Sequence, residues 1–420
     1  MSSTDFRRYW WAEVASQFGT VLTFVATTTI AVESLNASTT QTGLLTAAGY
    51  LPAALLGPWA GAAADRARRP RRQLVRCDLA AGSLLALTAL AAATAHLSVL
   101  WLAGLTLLLG GIAAASETLY FLHLQSVVPA GALPEARATL QSGEYGARLA
   151  GNALAGLTVA ALGGAAAYGI DTLTYALSAV LLLSIRRPDA PVSDDGAAAE
   201  DRPAREGVRL HGLLRRGSFL RSVFGLLLLQ SAATAAGAAL LGPFLLRELH
   251  VPAALFGFAF VATGLAGMLG SWAGPRLARR GGTRRWFLAA SAAQILASAA
   301  LAAAGGPLPL AAATAAAGLA AAKFSGAVSN VCLSTVVLAD SAPGTLGRTV
   351  ALLRSASTAC QVAGALGAGL LATVAGTRTT LWCAAALPLL TLPWLARGVR
   401  TPPGRRPGPA PTTLTEKAVS

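Results

Sequence analysis

The chain has 420 residues, 54% hydrophobic and 12% charged, with a formal net charge of +15. A soluble globular chain carries about a quarter charged residues, so this composition excludes one and points to membrane-spanning helices. The basic excess does not indicate nucleic acid, because the arginines sit in short tracts between apolar runs.

Twelve apolar segments begin near Trp10, Gly43, Cys77, Val99, Ala138, Ala165, Phe219, Ala253, Trp286, Leu308, Val350 and Leu381. Each is long enough to cross a bilayer as a helix, the only open-ended structure that satisfies its own backbone there. The sequence therefore predicts an all-α membrane protein of twelve transmembrane helices in two pseudo-symmetric six-helix bundles, residues 1–185 and 219–397. Arg7 and Arg8 precede the first run as they would in a signal peptide, but the run is span-length and more spans follow, so cleavage is not expected. With a cytoplasmic N-terminus, 28 of the 33 basic residues fall on the cytoplasmic side. Only Arg247 and Arg378 fall outside, and Arg148, Lys323 and Arg354 lie within spans. This is the positive-inside asymmetry, and it predicts a multi-pass protein of the plasma (inner) membrane with both termini cytoplasmic.

In span one, Glu13, Ser16, Gln17, Thr20, Thr23 and Thr27 fall on one helical face. Such a stripe either lines a water-accessible cavity or packs spans together, and both readings stand for its threonines. Span two ends in GPWAGAAADRARRPRRQLV, residues 57–75, where six arginines follow Asp65 by position 76. The arginines anchor this connection inside, and Gly57 and Gly61 allow a close helix neighbour. In span four, Glu117 and Tyr120 share a face. A charge within a span costs at least about 2.5–3.5 kcal/mol and calls for a partner, a cavity or a function. Counted from the expected cytoplasmic ends of spans four and five, Glu117 and Arg148 lie about 14–15 Å deep, and Glu144 is one turn from Arg148. A triad of Glu117, Glu144 and Arg148 is thus expected, either as a static ion pair or with one acid free to carry a proton. Asp171, near the start of span six, reads as a helix cap or packing residue.

Residues 186–218 are rich in Asp, Glu, Arg, Pro and Gly and read as a cytoplasmic linker with a short surface helix near 208–214. Span seven carries Gln230 and Thr234, and span ten carries Lys323 and Asn330, as further cavity candidates. Lys323, alone in mid-span, reads as a ligand for an anionic group or a neutraliser of Glu117. Arg354 lies near enough to the end of span eleven to snorkel. The Pro-rich tail 398–420 is expected to be disordered. The four cysteines and four histidines show no metal spacing, so neither metal nor other cofactor is expected. No G-x-x-x-x-G-K-[ST] motif occurs, which leaves direct ATP coupling unsupported.

A second copy of the 57–75 stretch, GSWAGPRLARRGGTRRWFL, begins at Gly270. It aligns Gly57/Gly270, Trp59/Trp272, Ala60/Ala273, Gly61/Gly274, Arg66/Arg279, Arg71/Arg284 and Arg72/Arg285, with Ala278 opposite Asp65. Parallel repeats of six spans are one transporter architecture, with the substrate site near the midplane between them.

The stretch Gly61-x-x-x-Asp65-Arg66-x-x-Arg69 resembles the loop signature of the major facilitator superfamily, with Ala67 and Arg68 where the family has glycine. VVPAGALPEARATLQSG, from Val127, and AAYGIDTLTYALSAVLLLSIRRP, from Ala166, are similar to the enterobactin-exporter and macrolide-efflux branch. The chain departs from that branch at Thr20, where an acid often follows the Ser-x-x-Gly of span one, and at Gly151–Gly156, which lacks the antiporter proline. With no nucleophile–base or metal constellation in the sequence, an enzyme is not expected. A monomer is expected, and the resemblance implies an efflux transporter that works by alternating access. It would export an amphipathic drug, siderophore or secondary metabolite in exchange for protons. It further implies that Gly57, Gly61, Asp65, Arg66 and Arg69 latch the two halves. Glu13, Gln17, Thr20, Thr27, Tyr120, Gln230, Thr234, Lys323 and Asn330 would line the cavity, with Glu117, Glu144 and Arg148 coupling to protons. An uptake permease of the same fold and a transport-dead membrane sensor are the competing readings.

Overall fold

The structure is a computed structural model and describes residues 4–65, 70–128, 133–185, 218–340 and 346–391. These residues form twelve helical segments, with no strand among them. Helix α1 (Thr4–Thr29) runs into a π-helical turn (Ile30–Ser34) and is followed by α2 (Thr39–Asp65), α3 (Pro70–Ala93) and α4 (Val99–Val127). Leu133–Leu183 is a single helical stretch broken at Gly163 (φ 81°, ψ 169°), a left-handed conformation open to glycine. Its limbs are α5 (133–162) and α6 (164–183). Helix α7 (Ser218–Gly242) continues into a second π-helical turn (Pro243–Glu248). Then come α8 (Ala253–Gly281), α9 (Thr283–Ala302), α10 (Leu308–Asp340), α11 (Leu346–Ala375) and α12 (Thr377–Ala386), the last prolonged by a 3-10 turn (Leu387–Thr391). Among the described residues, eight helical stretches, with Ser142–Leu183 taken as one, are long and apolar enough to cross a membrane.

Partners along α1 fix the direction of the limbs. Gly143 of α5 lies against Trp10 and Val14, and Gly151 against Phe18 and Val21, so α5 runs parallel to α1. On α6 the order inverts: Tyr175 meets Thr20, Asp171 meets Thr23 and Tyr168 meets Thr27. The chain therefore turns back at Gly163.

Helices α1–α6 pack among themselves, and α7–α12 do the same. The two groups meet through α2 with α7 and α11, and through α5 with α8. The repeat offset of 213 residues reappears in the backbone. The π-helical turns begin at Ile30 and Pro243, and the left-handed breaks stand at Gly163 and Gly376 (φ 83°). A π-helical turn is rare, so its recurrence at the same offset marks two copies of one six-helix unit.

The two ends of the bundle differ. At the end holding the α1–α2 turn, a shared core joins Leu22, Val25 and Val32 to Leu240, Phe244 and Phe256. Between membrane-spanning helices a core of this kind is held by close van der Waals packing. Arg247, at the end of α7, donates to the carbonyls of Val32 (2.5 Å) and Ala37 (2.7 Å) across the groups. Gly43 and Gly369 bring α2 and α11 into backbone contact there; a Cβ on Gly43 would lie 2.6 Å from the Ala365 oxygen. At the opposite, arginine-rich end, Arg8 donates to the Ser184 carbonyl (2.5 Å) and Arg71 to that of Ile185. These two arginines cap the last carbonyls of α6, where a cation also complements the helix dipole.

Asp65 is the last residue of α2. Arg66 and Arg69 lie outside the described residues, as do residues 186–217 of the expected linker, with its surface helix, and the expected tail. In the second copy of the repeat, Gly270 and Gly274 let α10 approach: a Cβ on Gly270 would stand 2.4 Å from the Phe324 oxygen.

Candidate functional site

Between the two helix groups, charged and polar side chains converge at mid-membrane depth. The span-one stripe divides by its partners. Thr23 donates to Asp171 (2.5 Å), Thr27 pairs with Tyr168 (3.0 Å), and Thr20 meets the Tyr175 hydroxyl (3.3 Å) while donating to the Ser16 carbonyl. These threonines bind α1 to α6, so Thr27, a cavity candidate by sequence, is buried packing. Asp171 is not a helix cap. It sits two turns inside α6 and also accepts from Thr174 (2.9 Å), and a Cβ on Gly19 would run into it.

Glu13 and Gln17 turn the other way. The Glu13 and Glu144 carboxyls lie within electrostatic reach of each other, beside Tyr9, whose hydroxyl donates to the Tyr120 carbonyl (2.9 Å). Arg148 lies within electrostatic reach of Glu13 and donates through Nε (3.1 Å) and Nη2 (3.0 Å) to Gln17 Oε1.

Glu117 does not join that group, which corrects the expected triad. It forms an ion pair with Arg354 of α11, in the other half. Two reasons are geometric. Helix α5 begins at Leu133 rather than near Ala138, so Arg148 is about 22 Å from the start of its helix, while Glu117 is about 15 Å from the end of α4. Facing matters as well. Glu117 shares a face with Gly110, which abuts Gly49 of α2, and lies about two and a half turns from the exposed Leu108. Arg354 lies equally far around its helix from the exposed Ala363 and in line with Ala365, which is buried toward α2. Both charges thus face the space between the halves. Their side chains are 64% and 69% exposed, so that space is open at their level. Arg354 does not snorkel, and reading its phase with Thr358 and Gln361 on α11 would have placed it on the cleft.

Tyr120, another cavity candidate, turns into the first group. Its ring packs on Tyr9 (5.8 Å between centroids), and its hydroxyl approaches Ser178 (3.5 Å), which donates to the buried Asp78 (2.7 Å). Tyr9, Asp78 and Tyr175 were not picked out in the sequence. Asp78 stands just after the expected start of span three, among residues that read as a boundary.

From the second group, Lys323 and Asn330 are exposed on one face of α10. Arg148 lies within electrostatic reach of Lys323, which turns that face toward the first group. Lys323 forms no ion pair or hydrogen bond among the described residues. Thr234 is exposed on α7 and bonds only the Gln230 carbonyl one turn back; the Gln230 side-chain oxygen is buried with no partner among the described residues. The arrangement is a cleft sealed at one end, open toward the other, and carrying two neighbouring acids beside Arg148, the cation Lys323 with no ion pair among the described residues, and an ion pair that crosses it.

Solved structures share this architecture. A variant of the nucleoside transporter NupG is 14% identical over 94% of this chain and 99% of its own, with a TM-score of 0.72. A bacterial homologue of the iron transporter ferroportin in an inward-facing state is 16% identical over 95% and 100%, with a TM-score of 0.72. A bacterial homologue of the human lysosomal transporter Spinster, inward-facing and occupied, is 15% identical over 95% and 98%, with a TM-score of 0.69. At these identities the likeness is one of fold. No curated protein sequence matches the chain. Residues 9–343 match the Major Facilitator Superfamily profile. With the twelve helices, the internal repeat and the polar cleft between its copies, this match assigns the chain to the major facilitator superfamily of membrane transporters.

Proposed function

We propose that the chain is a proton-coupled secondary active transporter that moves an amphipathic small molecule through the cleft by alternating access. The observation that carries this reading is the placing of two acids, Glu13 and Glu144, beside Arg148 in a cleft sealed at one end. Two neighbouring acids next to a fixed cation can take up and release a proton as the cleft changes sides. The cross-cleft pair Glu117–Arg354 is then a gate that re-forms in each cycle. Asp65, Arg66 and Arg69, with Gly57 and Gly61, remain the proposed latch at the arginine-rich end. The positive-inside asymmetry supports an inner-membrane protein with that end cytoplasmic, so the sealed end faces outward. The resemblance to the enterobactin-exporter and macrolide-efflux branch supports export in exchange for protons, by a monomer.

Uptake is the second reading, and one observation favours it. When the acid pair holds its proton, Lys323 leaves the cleft with an excess positive charge, which draws an anion in together with the proton.

The test is accumulation of antibiotics and fluorescent dyes in an efflux-deleted host, with and without a protonophore. Wild type, Glu13→Gln, Glu144→Gln and Asp65→Asn would be compared at matched expression. Lower accumulation in wild type that is lost with the protonophore and with Glu13→Gln supports export. Raised accumulation supports uptake. Activity that survives both the protonophore and Glu13→Gln sinks proton coupling at this site.

A further inference from the structure

We infer that the cleft takes an anionic group of the cargo, a carboxylate, phosphate or sulfonate, between Lys323 of α10 and Arg148 of α5. The inference rests on the cleft being the transport path and is independent of direction.

Lys323 lies mid-helix, about 22 Å from the start of α10. An ammonium at that depth costs at least about 2.5–3.5 kcal/mol unless countered or hydrated. Among the described residues it has no carboxylate and no hydrogen-bond acceptor, and the charge that acts on it is Arg148, of the same sign. Arg148 is steadied by Gln17 through Nε and Nη2, while its Nη1 hydrogens have no acceptor among the described residues. Glu13 and Glu144 stand beside Arg148, and Glu117 is already matched by Arg354. No described carboxylate therefore pairs with Lys323 where the two halves face each other. An oxyanion there accepts from the Lys323 ammonium on one side and from the guanidinium fork on the other, a geometry suited to planar or tetrahedral anions. A site built from both halves also closes around the ligand, as alternating access requires.

Lysine occurs in this chain only as Lys323 and Lys417, so an amine-directed reagent reads the cleft with an internal control. The full-length protein in nanodiscs would be reductively methylated and the two lysines followed by peptide mass spectrometry. The probes are 4-phenylbutyrate, its neutral amide and 4-phenylbutylamine. The expected result is that 4-phenylbutyrate slows modification of Lys323 and leaves Lys417 unchanged. At ten times its dissociation constant, mass action gives about tenfold protection. The amide and the amine protect neither lysine. Arg148→Gln loses the protection and Arg148→Lys retains most of it, in proteins of unchanged elution volume. Modified Lys323 with no selective protection by the carboxylate, or equal protection by the amide, overturns the anion site and leaves the cleft standing. A Lys323 that resists the reagent while Lys417 reacts overturns the cleft reading itself.

Discussion

The two halves are copies in backbone and opposites in charge. At the shared offset of 213 residues, Gln17 answers to Gln230, but Glu13 answers to Leu226, Glu117 to Asn330, Glu144 to Ser357 and Arg148 to Gln361. In the other direction, Lys323 and Arg354 stand where the first half has Gly110 and Gln141. All the acids of the cleft are thus in the first half, and two of its three cations are in the second. In the first half the glutamine at this position steadies an arginine; in the second, Gln230 has no partner for its buried oxygen among the described residues. Duplication supplied a symmetric frame, and the charges were then divided between its copies: the acids on one wall alone, the cations on both.

That division can be broken in order of expected effect. Glu13→Gln removes one of the two neighbouring acids and, under the proposed coupling, should cut proton-driven transport by about 5–150-fold, the usual span of coupling between sites. Ser357→Ala, at the position matching Glu144, should leave it unchanged in the same vesicle assay. Equal losses would mean that the asymmetry is not functional. The pH dependence comes next. Tyr9, Tyr120 and Arg148 also act on Glu13. Under the proposed coupling, protonating these acids removes negative charge beside Arg148, so anion protection of Lys323 should strengthen on acidification. That sign couples anion and proton in one direction and favours uptake. Weakening on acidification instead assigns exchange and favours export.

A smaller effect is expected at the seam where the halves touch. Gly43→Leu pushes a side chain into the Ala365 oxygen and the Gly369 backbone, and overpacking of this kind costs about 1–3 kcal/mol. Thermal unfolding should fall by several degrees, and Lys323 should become reachable from the normally sealed side. The smallest effect on stability is at the crossing pair. Exposed ion pairs contribute about 0–1 kcal/mol, so Glu117→Gln and Arg354→Gln should barely change the unfolding midpoint while both impair transport. The exchange Glu117→Arg with Arg354→Glu should restore transport if pairing is what counts, and a double swap no better than either single change would exclude the gate.

Much of this was legible in the sequence. Apolar runs located the helices: α4, α8 and α10 begin where expected, and the others start within seven residues of their expected positions. The repeat at Gly57 and Gly270 carried the offset that the π-helical turns and the breaks at Gly163 and Gly376 share. Glu13, Gln17, Arg148, Lys323 and Asn330 stand out in the sequence because charge and amide groups in a span need water or a partner, and their roles in the cleft are proposals. What failed was pairing. Depth along a helix follows from residue count, but a five-residue error at the start of α5 displaced Arg148 by more than a turn, and depth says nothing of which way a side chain faces. Thr27 and Tyr120 were misplaced for the same reason: a helical stripe states that residues share a face, and only the neighbouring helix decides whether that face meets water or another hydroxyl.

The π-helical turns at Ile30–Ser34 and Pro243–Glu248 also record a chronology. A helix acquires such a turn when one residue is inserted without breaking it, an event rare enough that two independent insertions at the same offset are the less economical account. The insertion is therefore older than the doubling of the gene, and the differences in cleft charge between the copies are younger than both.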